Sequence, residues 1–549
     1  MVKAETKTIK AAEVVALKRV LVADQISERG LEILGEKLDV TYDPKITAEQ
    51  LLESIGEFDA LLVRSRTQAT AEVIKRGTKL KVIGRAGVGV DNIDVKTATE
   101  AGVLVVNSPE GNTASAAEHT IALMFSLARQ IPAADASMKT GAWERSRFMG
   151  VELFNKTLGV IGLGKIGNRV ATAALALGMK VLVYDPFISE ERAKQLNVQS
   201  VPLEDIWLRA DFITIHTPKT PQTTNLISGD VLSRIKPGVR IINASRGGVV
   251  DEDALAKAIK DGRVAGAALD VFVDEPPKNS ALLELGEKVV LTPHLGASTV
   301  EAQFNVAIDL AEQIRDYLSD GMARSPVNLP FMRPETLKSL GKYLGLAEAM
   351  GAIAGELGTG SVKEFELITY GGMAAKETEP LIVAALKGLF MGKMEGVTFV
   401  NAQIVAKNHG VVIRESRSPE SAEHRDGIKV LISTDGSVTS IEGTVLAHND
   451  PIITNINDHP INLTPAKYML FTMHKDQPGM VAKVATVLGE QDINISTMSV
   501  GRVGVRKDAV MVMTLDDPLD PKVVRLMSEQ SGIHTARFVS LDAMSMPLS

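Results

Sequence analysis

The chain has 549 residues, too many for one compact domain and enough for three or four. Hydrophobic residues make up 45% and charged residues 23%, ordinary for globular cores, and a net charge of −7 argues against a nucleic-acid or membrane-surface protein, which is usually basic. The sequence holds no cysteine, which excludes disulfides, thiolate zinc sites and a cysteine nucleophile, and no run approaches the ~18 apolar residues of a membrane span.

The start, MVKAETKTIKAAEVVALK, lacks the apolar core of a secretory signal, has no arginine and carries Glu5 and Glu13. It reads as an extension over 1–18 rather than a leader, and a cytoplasmic location is expected, with an organelle stroma compatible. From Lys18 the pattern alternates: RVLVAD is a strand, ISERGLEILGEKL an amphipathic helix, LDVTYD the next strand, and DALLVRS, LKVIGRAGVG and GVLVVNSP continue the series. Strands alternating with helices predict a doubly wound parallel sheet. After the long helix TASAAEHTIALMFSLARQI, KTLGVIGLGKIG opens a second series of the same kind: KVLVYDP, ADFITIHTP, VRIINAS, GAALDVF and VVLTPHLG. A helix from about Thr299 to Leu318 is expected to run back to the first unit, followed by SPVNLPFMRPE, a linker with three prolines. Residues 331–465 mix a helix, PLIVAALKGLF, with the β-rich segments GVTFVNAQIVAK and GIKVLISTDGSVTSIEGTVL, an α+β module without a catalytic signature. From Lys467 the order strand, helix, strand, strand, helix, strand suits a small ferredoxin-like sandwich.

Gly162, Gly164 and Gly167 form G-x-G-x-x-G between the apolar strand LGVI and a helix. Free N–H groups at that helix start can hold a pyrophosphate. The next strand, KVLVYD, ends in Asp185, where an acid binds ribose hydroxyls. Asp185 also selects NAD over NADP: two like charges about 4 Å apart repel by roughly 4 kcal/mol at an effective dielectric near 20, and DPFIS offers no arginine for a 2′-phosphate.

Arg246 follows the strand VRIINAS and precedes two glycines, at the carboxyl end where open α/β sheets bind ligands. Glu275, in ALDVFVDEPP, and His294, in VVLTPHLGAST, end later segments. A histidine beside an acid supplies a general base near neutral pH, and an arginine can bind a carboxylate through two parallel hydrogen bonds. With a nicotinamide alongside, the reaction expected is hydride transfer from a 2-hydroxy acid. His119 reads as structural, inside an alanine-rich helix; His216, ending FITIHTP, lines the cleft without an identifiable acid partner; no metal site is expected.

At NASRGGVVDEDAL, ALDVFVDEPP and TPHLGAST the chain resembles the D-isomer-specific 2-hydroxyacid dehydrogenases. The resemblance implies Arg246 as carboxylate binder and polariser, Glu275 as partner and His294 as acid/base. It implies a Rossmann NAD domain over 109–295, inserted between 19–108 and 296–330 of a flavodoxin-like substrate domain. LLVRSRTQATAEVI, KVIGRAGVGVDNID, NSPEGNTASAAEH and WERSRFMGVEL resemble the long branch of that family, which oxidises 3-phospho-D-glycerate and carries an intervening domain (here 331–465) and an ACT domain (466–549). That branch implies that Arg64, Ser65, Arg85, Gly87 and Asn112 approach the substrate. It also implies that Lys165, Ile166, Thr217, Ala244, Ser245, Asp270, Leu295, Gly296 and Ala297 contact NAD. Arg145 and Arg147 are expected to cross to a neighbouring subunit of a homodimer or homotetramer and help bind phosphate. The expected activity is NAD-dependent oxidation of 3-phospho-D-glycerate to 3-phosphohydroxypyruvate, opening L-serine synthesis. In MHKDQPGMVAKV and DINIS, the resemblance to amino-acid-binding ACT domains implies His474, Asp476 and Asn494 as a site for L-serine across a domain–domain interface; the alternative is ordinary turn chemistry, with a loop acid capping the helix at Gly479. Two alternatives to the main reading are a hydroxypyruvate/glyoxylate or 2-oxoglutarate reductase of the same fold, and a non-catalytic NADH-sensing regulator. The Arg246–Glu275–His294 set argues against the regulator, because a sensor needs no general base.

Overall fold

The computed structural model describes residues 17–320, 323–329, 334–418, 426–446, 450–542 and 544. Most of the N-terminal extension and part of the proline-containing linker, 330–333, lie outside the described residues.

The first five strands are β1 (Arg19–Val22), β2 (Asp39–Tyr42), β3 (Ala60–Val63), β4 (Val82–Arg85) and β5 (Leu104–Asn107). They form an all-parallel sheet in the order β2-β1-β3-β4-β5, the doubly wound arrangement in which ligands collect at the carboxyl ends of the strands. Runs such as ALLV are buried throughout, as strands covered on both faces must be. The helix Val300–Asp320 returns to this sheet: a Cβ at Gly84 on β4 would press on Ile314 and Leu310. Pro326 then bridges Val106, and Val327 N–H donates to the Val105 carbonyl at 2.8 Å. The chain thus leaves the first sheet and comes back to it.

Between these two visits lie β6 (Thr157–Ile161), β7 (Lys180–Tyr184), β8 (Gln199–Ser200), β9 (Phe212–Ile215), β10 (Val239–Asn243), β11 (Val264–Leu269) and β12 (Val289–Leu291). Their order is β12-β11-β10-β9-β6-β7-β8, all parallel. The direction of winding reverses between β6 and β9, which marks the crevice where a dinucleotide binds. The long helix Thr113–Arg129 buries Leu123, Met124 and Leu127 against this sheet.

A third sheet contains β13 (Val362–Gly371), β14 (Val412–Ser418), β15 (Asp426–Thr434), β16 (Val438–Val445), β17 (Pro451–Ile456) and β18 (His459–Leu463). Only β13 and β14 run parallel; the other neighbours are antiparallel. Helices Pro334–Leu357 and Glu379–Phe390 share its core. The segment GVTFVNAQIVAK corrects the β-rich expectation: Ala402–Asn408 is helical. Its β-branched residues are overridden because the Asn401 side chain accepts from Thr398 N–H, fixing a turn before the helix, and because Val400 inserts into the core under the first sheet.

Last come β19 (Tyr468–Lys475), β20 (Ile495–Arg502), β21 (Asp508–Leu515) and β22 (Ile533–Ser540), with helices Met480–Gly489 and Pro521–Ser528. The antiparallel order β20-β21-β19-β22 is the ferredoxin-like sandwich expected. Alternation along β19 sends Leu470 to the sandwich's own helices, and Met469 and Phe471 to the core of the third sheet. Among the described residues no helix is long and apolar enough to cross a membrane.

Candidate active site

β6 delivers Gly162 into a left-handed turn, φ 89°, where a Cβ would collide with the His216 carbonyl. A Cβ on Gly167 would collide with the Gly162 carbonyl, so the helix Lys165–Ala176 can approach the strand only because this position is glycine. Gly164 caps that helix with no side-chain hydrogen bond and faces open space, which leaves the first-turn N–H groups available to an anion. Lys165, in the first turn, pairs with Glu110, while Ile166 packs on the apolar core beneath. Asp185 follows β7, and its carboxylate accepts from Leu163 N–H at 2.7 Å and Phe187 N–H at 2.8 Å. Leu163, Gly164, Asn168, Asp185, Phe187 and Arg192 line a cavity of about 490 Å³.

The buried Thr217 Oγ1 and Asn168 Oδ1 have no hydrogen-bond partner in the protein. Such groups ordinarily find one. With the free helix N-terminus and the uncrowded Gly164, they suit a dinucleotide in this crevice. His216, beside them, is pushed down to about 4 by burial, and its Nε2 lies 3.0 Å from Thr214 Oγ1.

At the end of β10, Asn243 turns the chain: its side chain accepts from Ser245 N–H and donates to the Arg246 carbonyl at 2.9 Å, with Ala244 partly buried between them. Gly247 then passes so close to Phe272 that a Cβ would strike the Phe272 carbonyl, and Gly248 takes φ 78°. The diglycine therefore allows the backbone to bend past the next strand while Arg246 points outward. The Arg246 guanidinium lies against Gly89 and donates to Asp91 at 3.1 Å. Asp91 gave no signal in the sequence, because the pairing joins two sheets.

Three arginines converge from the two sides. Burial lowers Arg85 to about 10, and the positive charge of Arg246 adds to the effect. Arg85 Nε is buried without a partner, and a Cβ on Gly87 would collide with its guanidinium. Arg64, Gly87 and Ala297 line one narrow cavity. Asn112, whose Oδ1 is also buried without a partner, starts the helix Thr113–Arg129, and Ser65 is exposed beside Arg64. A positive, partly desolvated pocket of this kind attracts a small polyanion.

Glu275 and His294 meet: His294 Nδ1 and Glu275 Oε2 are 2.8 Å apart, and Phe272 N–H donates to Glu275 Oε1. Burial resists ionisation of Glu275, but the hydrogen bond and charge of His294 overcome it and hold the carboxyl below its ordinary value. The ionised carboxylate accepts a hydrogen bond from Nδ1–H, which leaves Nε2 as the nitrogen free to act on a substrate. His294 sits at φ 55°, a region a non-glycine residue enters at a cost of about 1–3 kcal/mol. Asp270, buried at the end of β11, accepts from Leu295 N–H at 2.7 Å and Gly296 N–H at 2.9 Å. It also takes Thr292 Oγ1 at 2.6 Å and His119 Nε2 at 3.1 Å. His119 thus reaches a partner that sequence spacing could not reveal, 151 residues away.

Arg145 and Arg147 are not brought into the cleft. Arg147 pairs with Glu144 and Glu287, and among the described residues Arg145 makes no ion pair. Both flank Trp143, 75% exposed, and Met149, 80% exposed.

The three ACT-domain residues do not form one cluster in a single chain. His474 is buried, its Nδ1 lacks a partner, and burial lowers its pKa. Asp476 accepts from Arg506 N–H at 3.0 Å and does not cap the following helix, so the turn-chemistry alternative fails at that point. Asn494 instead donates to Asp516 at 2.6 Å. Register explains the separation: His474 pairs with Ala509 at one end of β21, whereas Ile495, next to Asn494, pairs with Leu515 at the other. Six residues of strand span about 20 Å.

Residues 121–296 match the NAD-binding domain model of the D-isomer specific 2-hydroxyacid dehydrogenases. Residues 339–457 match the D-3-phosphoglycerate dehydrogenase intervening domain, and 468–530 the ACT domain. The chain is 46% identical over 527 residues to the D-3-phosphoglycerate dehydrogenase of Synechocystis, covering 96% of this chain and 95% of that protein. It is 43% identical to the corresponding protein of Archaeoglobus fulgidus, covering 95% of this chain and 100% of that one. Among solved structures, D-lactate dehydrogenase from Aquifex aeolicus complexed with NAD and lactic acid superposes with a TM-score of 0.51 at 28% identity, covering 57% of this chain and all of that one.

Proposed function

The chain belongs to the D-3-phosphoglycerate dehydrogenases, and from that premise we propose how its residues carry out the reaction. The enzyme oxidises 3-phospho-D-glycerate at C2 to 3-phosphohydroxypyruvate, with NAD as cofactor, at the start of L-serine synthesis. NAD supplies the acceptor for the C2 hydride when bound. Gly162, Gly164 and Gly167 with the first turn of the Lys165–Ala176 helix hold its pyrophosphate, and Asp185 its ribose. Arg246 exchanges its contact with Asp91 for the substrate carboxylate. Arg64 and Arg85 complete the anion pocket from the other sheet, with Ser65, Gly87 and Asn112 around them. His294 Nε2 takes the proton of the C2 hydroxyl, and Glu275 stabilises the imidazolium formed. The observation that carries this reading is the His294–Glu275 pair, presented beside the arginines at the carboxyl ends of the strands.

The exposed loop around Trp143 fits a face covered by a second copy of the chain, which would bring Arg145 toward the phosphate of the neighbouring cleft. His474 and Asp476 of one chain with Asn494 of another form the serine site.

Assay of 3-phosphoglycerate, glycerate and 2-hydroxyglutarate with NAD tests the assignment, with a marked preference for the first expected. His294→Ala should keep NADH binding and lose at least about a hundredfold in kcat, the scale of general acid–base catalysis; near-normal turnover would overturn the role. Arg145→Ala should raise KM for 3-phosphoglycerate more than for glycerate, and equal effects would remove it from the phosphate site.

A further inference from the structure

We propose that His119 is a positioning residue for catalysis: from the helix Thr113–Arg129 it clamps Asp270 and Thr292, and through them holds the strained segment that presents His294. This rests on the role given above to His294. The segment 292–299 is tied to that one helix at both ends. His119 Nε2 lies 3.1 Å from Asp270 Oδ1 and 3.2 Å from Thr292 Oγ1. Four residues earlier, on the same face of the helix, Ser115 Oγ lies 2.7 Å from Thr299 Oγ1. Between these ties, Asp270 grips both sides of His294: its carbonyl accepts His294 N–H at 3.0 Å, and its carboxylate accepts Leu295 and Gly296 N–H.

Hydrogen-bond logic fixes the ring. Burial opposes ionisation of Asp270, yet the bonds from His119, Thr292 and Leu295 keep its carboxyl below the ordinary value, so it is an acceptor only. Thr292 must then donate its single hydroxyl proton to Asp270, which leaves Thr292 Oγ1 as an acceptor toward His119. Both partners of His119 Nε2 are acceptors, so Nε2 carries the proton. A side chain with a donor at that place can replace it, and an apolar one of similar size cannot.

The test compares His119→Leu with His119→Gln, whose amide nitrogen can reach the same acceptors. In ligand-free protein, the amides of Leu295 and Gly296 should exchange hydrogen at least about tenfold faster in His119→Leu, with the peptides of β6 and β11 unchanged. In the assay, kcat should fall at least about tenfold, while KM for 3-phosphoglycerate stays within about threefold. His119→Gln should recover both exchange and kcat to within about threefold of wild type. Unchanged exchange or kcat in His119→Leu, or a Gln variant as impaired as the Leu one, would overturn the proposal. If His119→Leu fails to fold, Thr292→Val, which removes the shared hydroxyl without touching the helix, must show the same faster exchange or the clamp is wrong. Failure of the wild type to oxidise 3-phosphoglycerate would refute the catalytic reading but leave the exchange result to judge the clamp.

Discussion

His216 ends β9 beneath the glycine turn, in a position where a neutral ring is strongly preferred. Burial lowers it from an ordinary 6.5 to about 4. Between those values the unfolded chain binds the proton and the folded chain does not, so stability rises with pH across the window and is lost as pH falls through it. At pH 5 the loss relative to neutral pH is at most about 2 kcal/mol, from one pKa unit being about 1.4 kcal/mol. His216→Gln, which keeps a polar group near Thr214 but cannot be protonated, should flatten this dependence. Calorimetry of ligand-free protein at pH 7.5 and 5 would check it, and identical pH slopes for the two proteins would contradict the assignment. Asp185 illustrates a different limit. Read from sequence as the residue that selects NAD, it has a second task in the structure, accepting Leu163 N–H and Phe187 N–H. A change of specificity made at Asp185 therefore also loosens the glycine turn.

The helix Lys165–Ala176 separates the two uses of glycine in the fingerprint. Gly167 touches protein, since a Cβ there would strike the Gly162 carbonyl, whereas Gly164 faces open space. Gly167→Ala should push the helix off β6, lowering thermal stability by the overpacking cost of about 1–3 kcal/mol and weakening NADH binding together with it. Gly164→Ala should leave the melting temperature in place and weaken NADH binding alone. Fluorescence titration with NADH and a melting curve on both variants distinguish the two, and a stable, tightly binding Gly167→Ala would contradict the packing argument. Features this local were legible in the sequence because strand, turn and helix follow one another in a few residues. The two parallel sheets and the ferredoxin-like order of the last unit were legible for the same reason, through hydrophobic periodicity and glycine. What escaped depends on distant partners. Asp91 meets Arg246 only when two sheets face each other. The partners of His119, Asp270 and Thr292, follow β11 and β12 and stand 151 and 173 residues away in sequence. Ala402–Asn408 looked like strand because nothing local announces that Val400 will be drawn into another core.

The chain as a whole carries a catalytic half and a regulatory half that are joined by packing as well as by sequence. Thr398 Oγ1 donates to the Gly102 carbonyl at 3.0 Å, just before β5 leads to Asn107 and the cleft. The ACT sheet in turn buries Met469 and Phe471 in the core of the third sheet. A ligand that moves the ACT domain thus has a continuous packed route toward the substrate pocket. The proposed serine site lies across an interface, as the resemblance implies, and the register shows why. His474 and Asp476 stand at one end of the sheet and Asn494 at the other, about 20 Å away by strand length, so one chain cannot close on a molecule as small as serine with all three. On the proposed reading, serine would be held between two copies. Asp476→Ala and Asn494→Ala should each abolish serine binding in a homo-oligomer by isothermal titration. A hybrid assembled from the two variants should regain it, because one pairing in the hybrid joins an intact Asp476 to an intact Asn494. The recovered stoichiometry should be about half that of wild type, with the affinity of the surviving site unchanged. Hybrids that bind no serine, beside a wild type that does, would remove the shared interface from the account.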